Sequence, residues 1–355
     1  MISPERLVSR KNIEMINEVL NFPLLIKLGL EHAIDISPQK KDKVFFVGIG
    51  TSGLTGEFIQ KYYEGKLEGI TVRVFRSHKM PLVSDWLYVI YSYSGTTLEV
   101  LNALKKIYEK RVECIVASTG GYLEKFARKT NIPFQKIEVP KLPRVKKLET
   151  RSHLPYGVTI FARIFKKIFR SKINVEEELM EAMKRIEDKL SNISEKEIVE
   201  IAKRIAESNQ LVILTDVLTA PIARRFRNEL AENSKKIAQW DTFPEMGHNL
   251  LCALFEEKAR ATVVVFQRSS ADAVVKEYYK ILEDAVGDDR IITIEVNDNY
   301  FCWRTFLEPV FIGDLLSVVV GDILGRETKP IHQVDIVKTR LKHVISTEQS
   351  RNSKN

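Results

Sequence analysis

The sequence predicts an α/β fold built from two similar lobes in tandem, each a mainly parallel β-sheet flanked by helices. The chain has 355 residues, of which 44% are hydrophobic and 29% are charged, so it is long enough for two hydrophobic cores. Short β-branched runs alternate with helical patterns along the chain, as they do in βαβ units. Several of these runs are apolar throughout, which is typical of strands that helices cover on both sheet faces.

The first half of the chain contains a series of runs that predict strands. They lie at residues 43–49, 70–75, 86–92, 113–118 and 134–139. Helical patterns separate them, and the pattern after the third run places Leu101, Leu104 and Ile107 on one face. The stretch 140–157 is rich in proline and lysine and predicts a crossover loop.

The second half repeats this alternation after a mostly helical segment, although no repeat is visible residue by residue. Strands are predicted at 210–216, 261–267 and 289–296, and helices at 221–235 and 306–324. We therefore expect an N-terminal domain at 1–157, which includes an N-terminal helical segment and the crossover loop. A C-terminal domain is expected at 158–355, ending in a helix and a polar tail.

Composition and charge argue against several classes of protein. The formal net charge is +8, but no single basic face is visible, so no nucleic-acid partner is expected. The three cysteines include no CxxC pair and predict neither a disulfide framework nor a zinc site. The most apolar stretch, 311–324, carries Asp314 and Asp322 and is shorter than the ~20 residues of a membrane span. We expect a cytoplasmic protein without a membrane partner.

A glycine-rich turn, VGIGTSGLTGEF, joins the first predicted strand to a helix. Its residues Gly48, Gly50 and Gly53 match the G-x-G-x-x-G pattern of dinucleotide sites. Arg76, near the end of the second strand, could then receive the 2′-phosphate of NADP. One hypothesis is therefore an NADP-dependent oxidoreductase.

The same turn also has a purely structural explanation. Tight strand-to-helix turns favour glycine because it adopts positive φ angles, and Thr51 or Ser52 could simply cap the helix. The pattern alone does not separate these alternatives.

The loop after the third strand, YSYSGTTLEV, carries four hydroxyl side chains just before a helix. Ser92, Ser94, Thr96 and Thr97 surround Gly95 there, and hydroxyls at a helix N-terminus favour a small anion such as one phosphate group. A capping box that begins at Thr96 would account for that residue but not for the other three.

These two loops, followed by ASTGGYLEKFARK, resemble the sugar isomerase (SIS) domain, and most closely the archaeal bifunctional phosphoglucose/phosphomannose isomerases of the phosphoglucose isomerase superfamily. The resemblance covers roughly residues 15–345. It implies two SIS lobes with a three-layer, flavodoxin-like α/β/α architecture. It also implies that both loops hold the phosphate of a hexose 6-phosphate and that no nucleotide is bound. The implied phosphate-binding residues are Gly50, Thr51, Ser52, Ser92, Ser94 and Thr97.

The resemblance also implies the catalytic residues of an aldose–ketose isomerase. The segment RNELAENSKK contains the family's Glu-Asn-x-Lys pattern, and its Glu232 corresponds to the base that moves a proton between C2 and C1. A solvated glutamate paired with Lys236 at i,i+4 is the structural alternative. Arg151 corresponds to the arginine beside the enediolate, although Thr150 replaces the proline that usually precedes it.

Two further catalytic residues follow from the resemblance. The segment PEMGHNLL matches the family's P-E-x-x-H-N pattern, which implies that His248 assists ring opening in the active site of a neighbouring subunit and that the protein is a homodimer. Lys338 corresponds to a C-terminal lysine that contacts the sugar ring oxygen, and a surface lysine is its alternative. The implied reaction passes through a cis-enediolate and needs neither a metal nor another cofactor.

The implied substrates are glucose 6-phosphate, mannose 6-phosphate and fructose 6-phosphate, within glycolysis and gluconeogenesis. Members with mannose activity carry a small hydroxyl residue shortly before the C-terminal lysine, where this chain has Ile331, His332 and Gln333. Other hypotheses stay open at this point: a SIS-domain regulator that binds a sugar phosphate without turnover, the NADP-dependent oxidoreductase, and a single-lobe ketose-phosphate or aminosugar isomerase.

Overall fold

The computed structural model describes residues 2–77, 80–256, 261–269, 271–296, 301–334, 336–337 and 339–340. Two parallel sheets flanked by helices form the fold, which confirms the predicted α/β class. The first sheet consists of β1 (Lys43–Val47), β2 (Thr71–Phe75), β3 (Leu87–Tyr91), β4 (Cys114–Ser118) and β5 (Phe134–Lys136). The second sheet consists of β6 (Gln210–Asp216), β7 (Gln239–Phe243), β8 (Ala261–Arg268) and β9 (Ile291–Val296).

Both sheets use the same strand order. The first runs β2-β1-β3-β4-β5 and the second runs β7-β6-β8-β9, so each lobe places its first strand between its second and third strands. The loops after β1 and β3 therefore leave the same edge of the first sheet side by side. In open parallel sheets, ligands bind at this edge, where the strand order reverses.

Helices cover both sheets and connect the lobes. The N-terminal ones are α1 (Pro4–Leu7), α2 (Ile13–Leu20), α3 (Phe22–Glu31), α4 (Thr51–Glu64), α5 (Leu98–Glu109), α6 (Gly121–Lys129), α7 (Leu154–Phe169) and α8 (Val175–Asn192). The C-terminal ones are α9 (Glu195–Glu207), α10 (Ala220–Glu229), α11 (Leu250–Glu256), α12 (Ala273–Val286) and α13 (Trp303–Ile323). Short 3₁₀ turns lie at Arg10–Asn12, Glu245–His248 and Asp288–Arg290.

The predicted crossover loop is too long at its C-terminal end. Helix α7 already begins at Leu154, because Pro155 occupies the first turn, where a missing N–H costs nothing. This helix packs against α3 and α4 of the first lobe. The predicted domain boundary after residue 157 falls inside α7, and the division of the chain at that point stays a prediction.

Three features of the second lobe differ from the prediction. Strand β7 is an edge strand whose side chains are mostly half exposed, so its sequence QWDTF shows no apolar run. The predicted helix 221–235 ends as an α-helix at Glu229 and continues as a π turn at Leu230–Ser234. The long apolar helix begins at Trp303 instead of residue 306.

Helix α13 is buried along almost its whole length and packs against α8, α9 and α10. Its polar and small residues Asp314, Ser317 and Gly321 are spaced three and four apart, so they form one stripe. A Cβ at Gly321 would lie 2.9 Å from the Asn233 carbonyl oxygen, so this glycine lets the π turn approach the helix. Within the described ranges, none of the helices has the length and hydropathy needed to cross a membrane.

The loop after β3 is locked against the loop after β4. Gly95 has φ +64°, and its carbonyl accepts the Leu123 N–H at 3.0 Å. A Cβ at Gly95 would lie 1.8 Å from the Gly120 carbonyl oxygen, so no larger residue fits without movement of the backbone.

We expect Gly95→Ala to lower the free energy of unfolding by more than ~2 kcal/mol, because it adds a backbone clash to an unfavourable φ angle. Gly69→Ala is the matched control, since Gly69 has φ +76° with nothing within 4 Å of a new Cβ. Urea unfolding at pH 7 measures both variants. Equal losses in the two would show that crowding at Gly95 is unimportant.

Candidate active site

The loop after β1 leads directly into α4. Gly50 is the N-terminal cap residue with φ +62°, and the helix begins at Thr51, so neither Thr51 nor Ser52 caps it and that alternative is wrong. The Ser52 hydroxyl instead accepts the backbone N–H of Tyr93 at 3.2 Å. This bond joins the first loop to the second.

The hydroxyls of the second loop form pairs. Ser92 and Thr97 lie 2.8 Å apart between their oxygens, and Ser94 and Thr96 lie 3.0 Å apart. Helix α5 begins at Leu98 with Thr97 as cap residue, so the capping box predicted from Thr96 is wrong. Four hydroxyls therefore stand at the start of α5, beside the start of α4, where helix dipoles favour an anion.

Arg151 is a buried cation, and one of its guanidinium nitrogens makes no hydrogen bond with the described residues. It is 1% exposed, and its Nε donates to Asn233 Oδ1 at 2.8 Å. Its Nη2 donates to the carbonyls of Thr328 at 2.8 Å and Lys329 at 3.0 Å. Its Nη1 makes no hydrogen bond with the described residues and lies 3.6 Å from Glu149 Oε2. This nitrogen is therefore buried and ion-paired, but not hydrogen-bonded, within the described structure.

Glu232 lies in the π turn, next to the partner of Arg151. Its half-buried carboxylate has neither a hydrogen bond nor an ion pair with any residue that the structure describes. Lys236 donates to the carbonyls of Ala206 and Ser208, so the predicted i,i+4 pair does not form. π turns interrupt the regular helix and are frequent at functional sites. The arrangement leaves Glu232 free to accept a proton.

A buried ion network supports this turn. The Arg225 guanidinium donates to both Asp314 oxygens at 2.9 and 2.8 Å and lies 2.6 Å from Glu229 Oε1. It also donates to the Arg151 carbonyl at 3.0 Å. Asn233 donates to Glu229 at 3.1 Å, so the network reaches the residue that orients Arg151. Burial raises the pKa values of Glu229 and Asp314, and the shared guanidinium opposes that shift.

His153 was missed in the sequence, although it follows Arg151 by two residues. It is 1% exposed, its Nε2 lies 2.8 Å from the Tyr91 hydroxyl, and its ring stacks on Tyr93 at 3.8 Å between centroids. Burial lowers the pKa of His153 to about 3, so the ring is neutral. His153 therefore connects the loops after β1 and β3, through Tyr93, to the segment that contains Arg151. The one sequence signal for it was a polar residue immediately before an apolar helix.

Glu18 was missed as well, because it lies in a segment that carries no motif. Its buried carboxylate accepts the Glu149 N–H at 3.0 Å and pairs with Lys329 at 3.0 Å. Burial raises its pKa, against hydrogen bonds from Ser152 and the Glu149 N–H. An isolated glutamate in an amphipathic helix gives no sign of burial, so only the fold identifies it.

The sequence also predicts catalytic roles for His248 and Lys338. His248 is exposed in the 3₁₀ turn before α11, and its ring has no hydrogen-bond or ion-pair partner among the described residues. Lys338 lies outside the described residues. Their roles stay predictions.

In the second lobe, charged side chains fill the position that the glycine-rich and hydroxyl-rich loops occupy in the first lobe. There the loop after β6 begins with Asp216, whose Oδ1 accepts the N–H groups of Leu218 at 2.8 Å and Thr219 at 3.1 Å. Arg268, at the end of β8, lies 2.5 Å from Asp216 Oδ2. A carboxylate repels phosphate, so the loop after β6 does not favour an anion.

We expect the stability of the protein to fall as the pH decreases from about 6.5 towards 3, because the unfolded chain protonates His153 while the folded chain does not. Within this range, His153 lowers the free energy of unfolding by about 1.4 kcal/mol for each pH unit. Urea unfolding of the wild type and of His153→Gln at pH 7 and pH 5 tests this. A variant with unchanged pH dependence would contradict the assignment. Exchange of the exposed His248 for Gln is the control.

Comparison with known proteins agrees with the motifs. Residues 194–341 match the family model described as bacterial phospho-glucose isomerase C-terminal SIS domain. The chain is 26% identical over 349 residues to a bifunctional phosphoglucose/phosphomannose isomerase of Caldicellulosiruptor bescii, covering 93% of this chain and 99% of the relative. It is 33% identical over 211 residues to a D-glucosamine-6-phosphate 4-epimerase of Sulfolobus acidocaldarius, covering 59% of this chain and 62% of that protein.

Among solved structures, the C-terminal domain of glucosamine-fructose-6-phosphate aminotransferase from Francisella tularensis has the same fold. The TM-score is 0.69 at 18% identity, and the match covers 89% of this chain and 98% of that one. The resemblance predicted from the motifs is confirmed, and the chain is a homologue of the bifunctional phosphoglucose/phosphomannose isomerases.

Proposed function

We propose that the protein is an aldose–ketose isomerase that interconverts glucose 6-phosphate, and mannose 6-phosphate, with fructose 6-phosphate. The observation that carries this proposal is the Glu232 carboxylate, which has no partner among the described residues. Glu232 lies in a π turn, and the next residue, Asn233, accepts a hydrogen bond from Arg151. The same fold carries the paired hydroxyls of the loop after β3, which we propose bind the phosphate. Similarity to a bifunctional phosphoglucose/phosphomannose isomerase supports the same reaction.

The site supplies the groups that the reaction needs. Ser52, Ser92, Ser94 and Thr97, with the backbone at Gly50 and Thr51, bind the phosphate and hold the sugar in place. Glu232 removes a proton from C2 and returns it to C1, and the reverse step regenerates the aldose. The Arg151 guanidinium stabilises the negative charge of the enediolate.

Glucose and mannose 6-phosphates share this enediolate because they differ only at C2. A proton that Glu232 returns to either face of C2 therefore yields either aldose. Ile331, His332 and Gln333 replace the expected hydroxyl residue, so we expect mannose 6-phosphate to be the poorer substrate.

His248 completes the site from a neighbouring subunit in this proposal. It is exposed, and the following helix α11 also exposes Cys252, Ala253 and Phe255, whose side chain is 48% exposed. An apolar surface of this kind favours contact with a second copy of the chain. Lys338 is proposed to contact the ring oxygen.

A second candidate is epimerisation at C4 of D-glucosamine 6-phosphate. The observation that favours it is the 33% identity to an enzyme of that name, which is higher than the identity to the isomerase of Caldicellulosiruptor bescii but covers less of the chain. Glucosamine 6-phosphate must therefore be tested beside the hexose phosphates.

The decisive experiment follows each substrate in D₂O by NMR. Fructose 6-phosphate should exchange hydrogen at C1 and yield glucose 6-phosphate, with mannose 6-phosphate formed more slowly. Conversion of glucosamine 6-phosphate to its 4-epimer would establish the second candidate instead. Binding of fructose 6-phosphate without exchange would indicate a regulator, and turnover of a nicotinamide cofactor would indicate an oxidoreductase.

We expect Glu232→Gln to bind fructose 6-phosphate normally and to lower kcat by about 10²–10⁴-fold, the usual contribution of a general base. Deuterium incorporation at C1 should be lost in parallel. Glu207→Gln, an exposed glutamate on α9, is the matched control. Retained exchange in the Glu232 variant would place the base elsewhere.

A further inference from the structure

A second group of cations lies on the other side of the glycine-rich loop. Arg76 follows β2, and its Nε is 2.9 Å from the position of a Cβ at Gly53. Loop residues Ser52 and Tyr93 lie towards β3, whereas Arg76 lies towards β2, and β1 stands between these two strands. The two places are therefore separate parts of the same sheet edge.

Two guanidinium groups meet there at one carboxylate, across the junction of the lobes. Glu57 of α4 pairs with Arg76 at 3.2 Å and with Arg224 of α10. Arg227 lies three residues after Arg224, on the same side of α10, and repels Arg76 electrostatically. Lys61 of α4 also acts on Glu57.

The charges of this group do not balance. Within the described part of the chain, Glu57 is the one acidic side chain that acts on Arg76, whereas both Arg224 and Arg227 repel it. Glu57 thus pairs with two guanidinium groups, while Lys61 and Arg227 add further positive charge nearby. Like charges held together destabilise the folded chain unless an anion compensates them.

Several donors in this group also lack acceptors. The Nη2 atom of Arg76 and the Nε atoms of Arg224 and Arg227 have no hydrogen-bond partner in the described residues, whereas Arg76 Nε is ion-paired with Glu57. The Arg227 side chain makes neither a hydrogen bond nor an ion pair there. Arg76 and Arg224 keep 25% and 29% of their side-chain surface exposed, so solutes can reach them.

We propose that Arg76, Arg224 and Arg227 form a binding site for a phosphomonoester dianion at the junction of the two lobes. Guanidinium groups bind phosphate oxygens through paired N–H donors, and a dianion would offset the excess positive charge. Trp240, whose ring centroid lies 4.7 Å from the Arg224 guanidinium carbon, holds that group from one side. Arg224 and Arg76 belong to different lobes, so a bound anion would also link them.

The test is calorimetric titration of the full chain with inorganic phosphate at low salt. We expect two phosphates per chain, one at the hydroxyl loops and one at the arginines. Arg227→Gln removes no contact of the described structure and should weaken the second phosphate at least tenfold, and Arg76→Gln should do the same. Arg73→Gln, an exposed charge on β2, is the matched control and should bind like the wild type.

The source of the phosphomonoester is distinguished by competition. NADP and NAD differ only in the 2′-phosphate, so displacement of the second phosphate by NADP alone would identify a nucleotide ligand. Displacement by glucose 6-phosphate alone would identify a sugar phosphate. Unchanged phosphate binding in both arginine variants would overturn the proposal. Because Arg227→Gln should still isomerise fructose 6-phosphate, this outcome is distinct from failure of the proposed function.

Discussion

The Arg225 guanidinium, sealed from water between Asp314 and Glu229, is the interaction on which the rest of the site depends. It joins α10 to α13 and holds the backbone of Arg151. Burial raises the pKa values of both carboxylates, the guanidinium opposes that shift, and Asn233 links Glu229 to Arg151. Loss of one partner from a buried ion pair costs about 3–5 kcal/mol, so these groups keep one arrangement.

This network explains why a π turn occurs at residues 230–234. Asn233 and Ser234 reach Ser317 on α13, at 2.8 and 3.0 Å, and the absence of a side chain at Gly321 allows that approach. Glu232 directly precedes these two anchoring residues, and its own carboxylate has no hydrogen-bond or ion-pair partner among the described residues. The turn is thus held by the neighbours of Glu232, as the proposed role of this carboxylate in proton transfer requires.

The two lobes share a strand order but divide the chemistry between them. In the first lobe, glycines and hydroxyls at the carboxyl ends of β1 and β3 leave room and donors for an anion. In the second lobe, the pair of Asp216 and Arg268 fills the equivalent place. That lobe instead contributes the turn with Glu232, the exposed His248 and two of the arginines near Glu57. A site built this way needs both lobes in contact.

Apolar runs predicted eight of the nine described strands, because buried parallel strands are apolar throughout. The glycine-rich and hydroxyl-rich loops were also visible in the sequence, because these residues at helix starts have a local physical meaning, and their binding of phosphate stays a prediction. Only the tertiary structure decided β7, an edge strand without an apolar run, and the burial of Glu18 and His153. It also decided that the Glu232 carboxylate has no partner among the described residues, whereas the Asp314 carboxylate is paired with Arg225. Burial and pairing depend on segments far apart in the chain, which local patterns do not report.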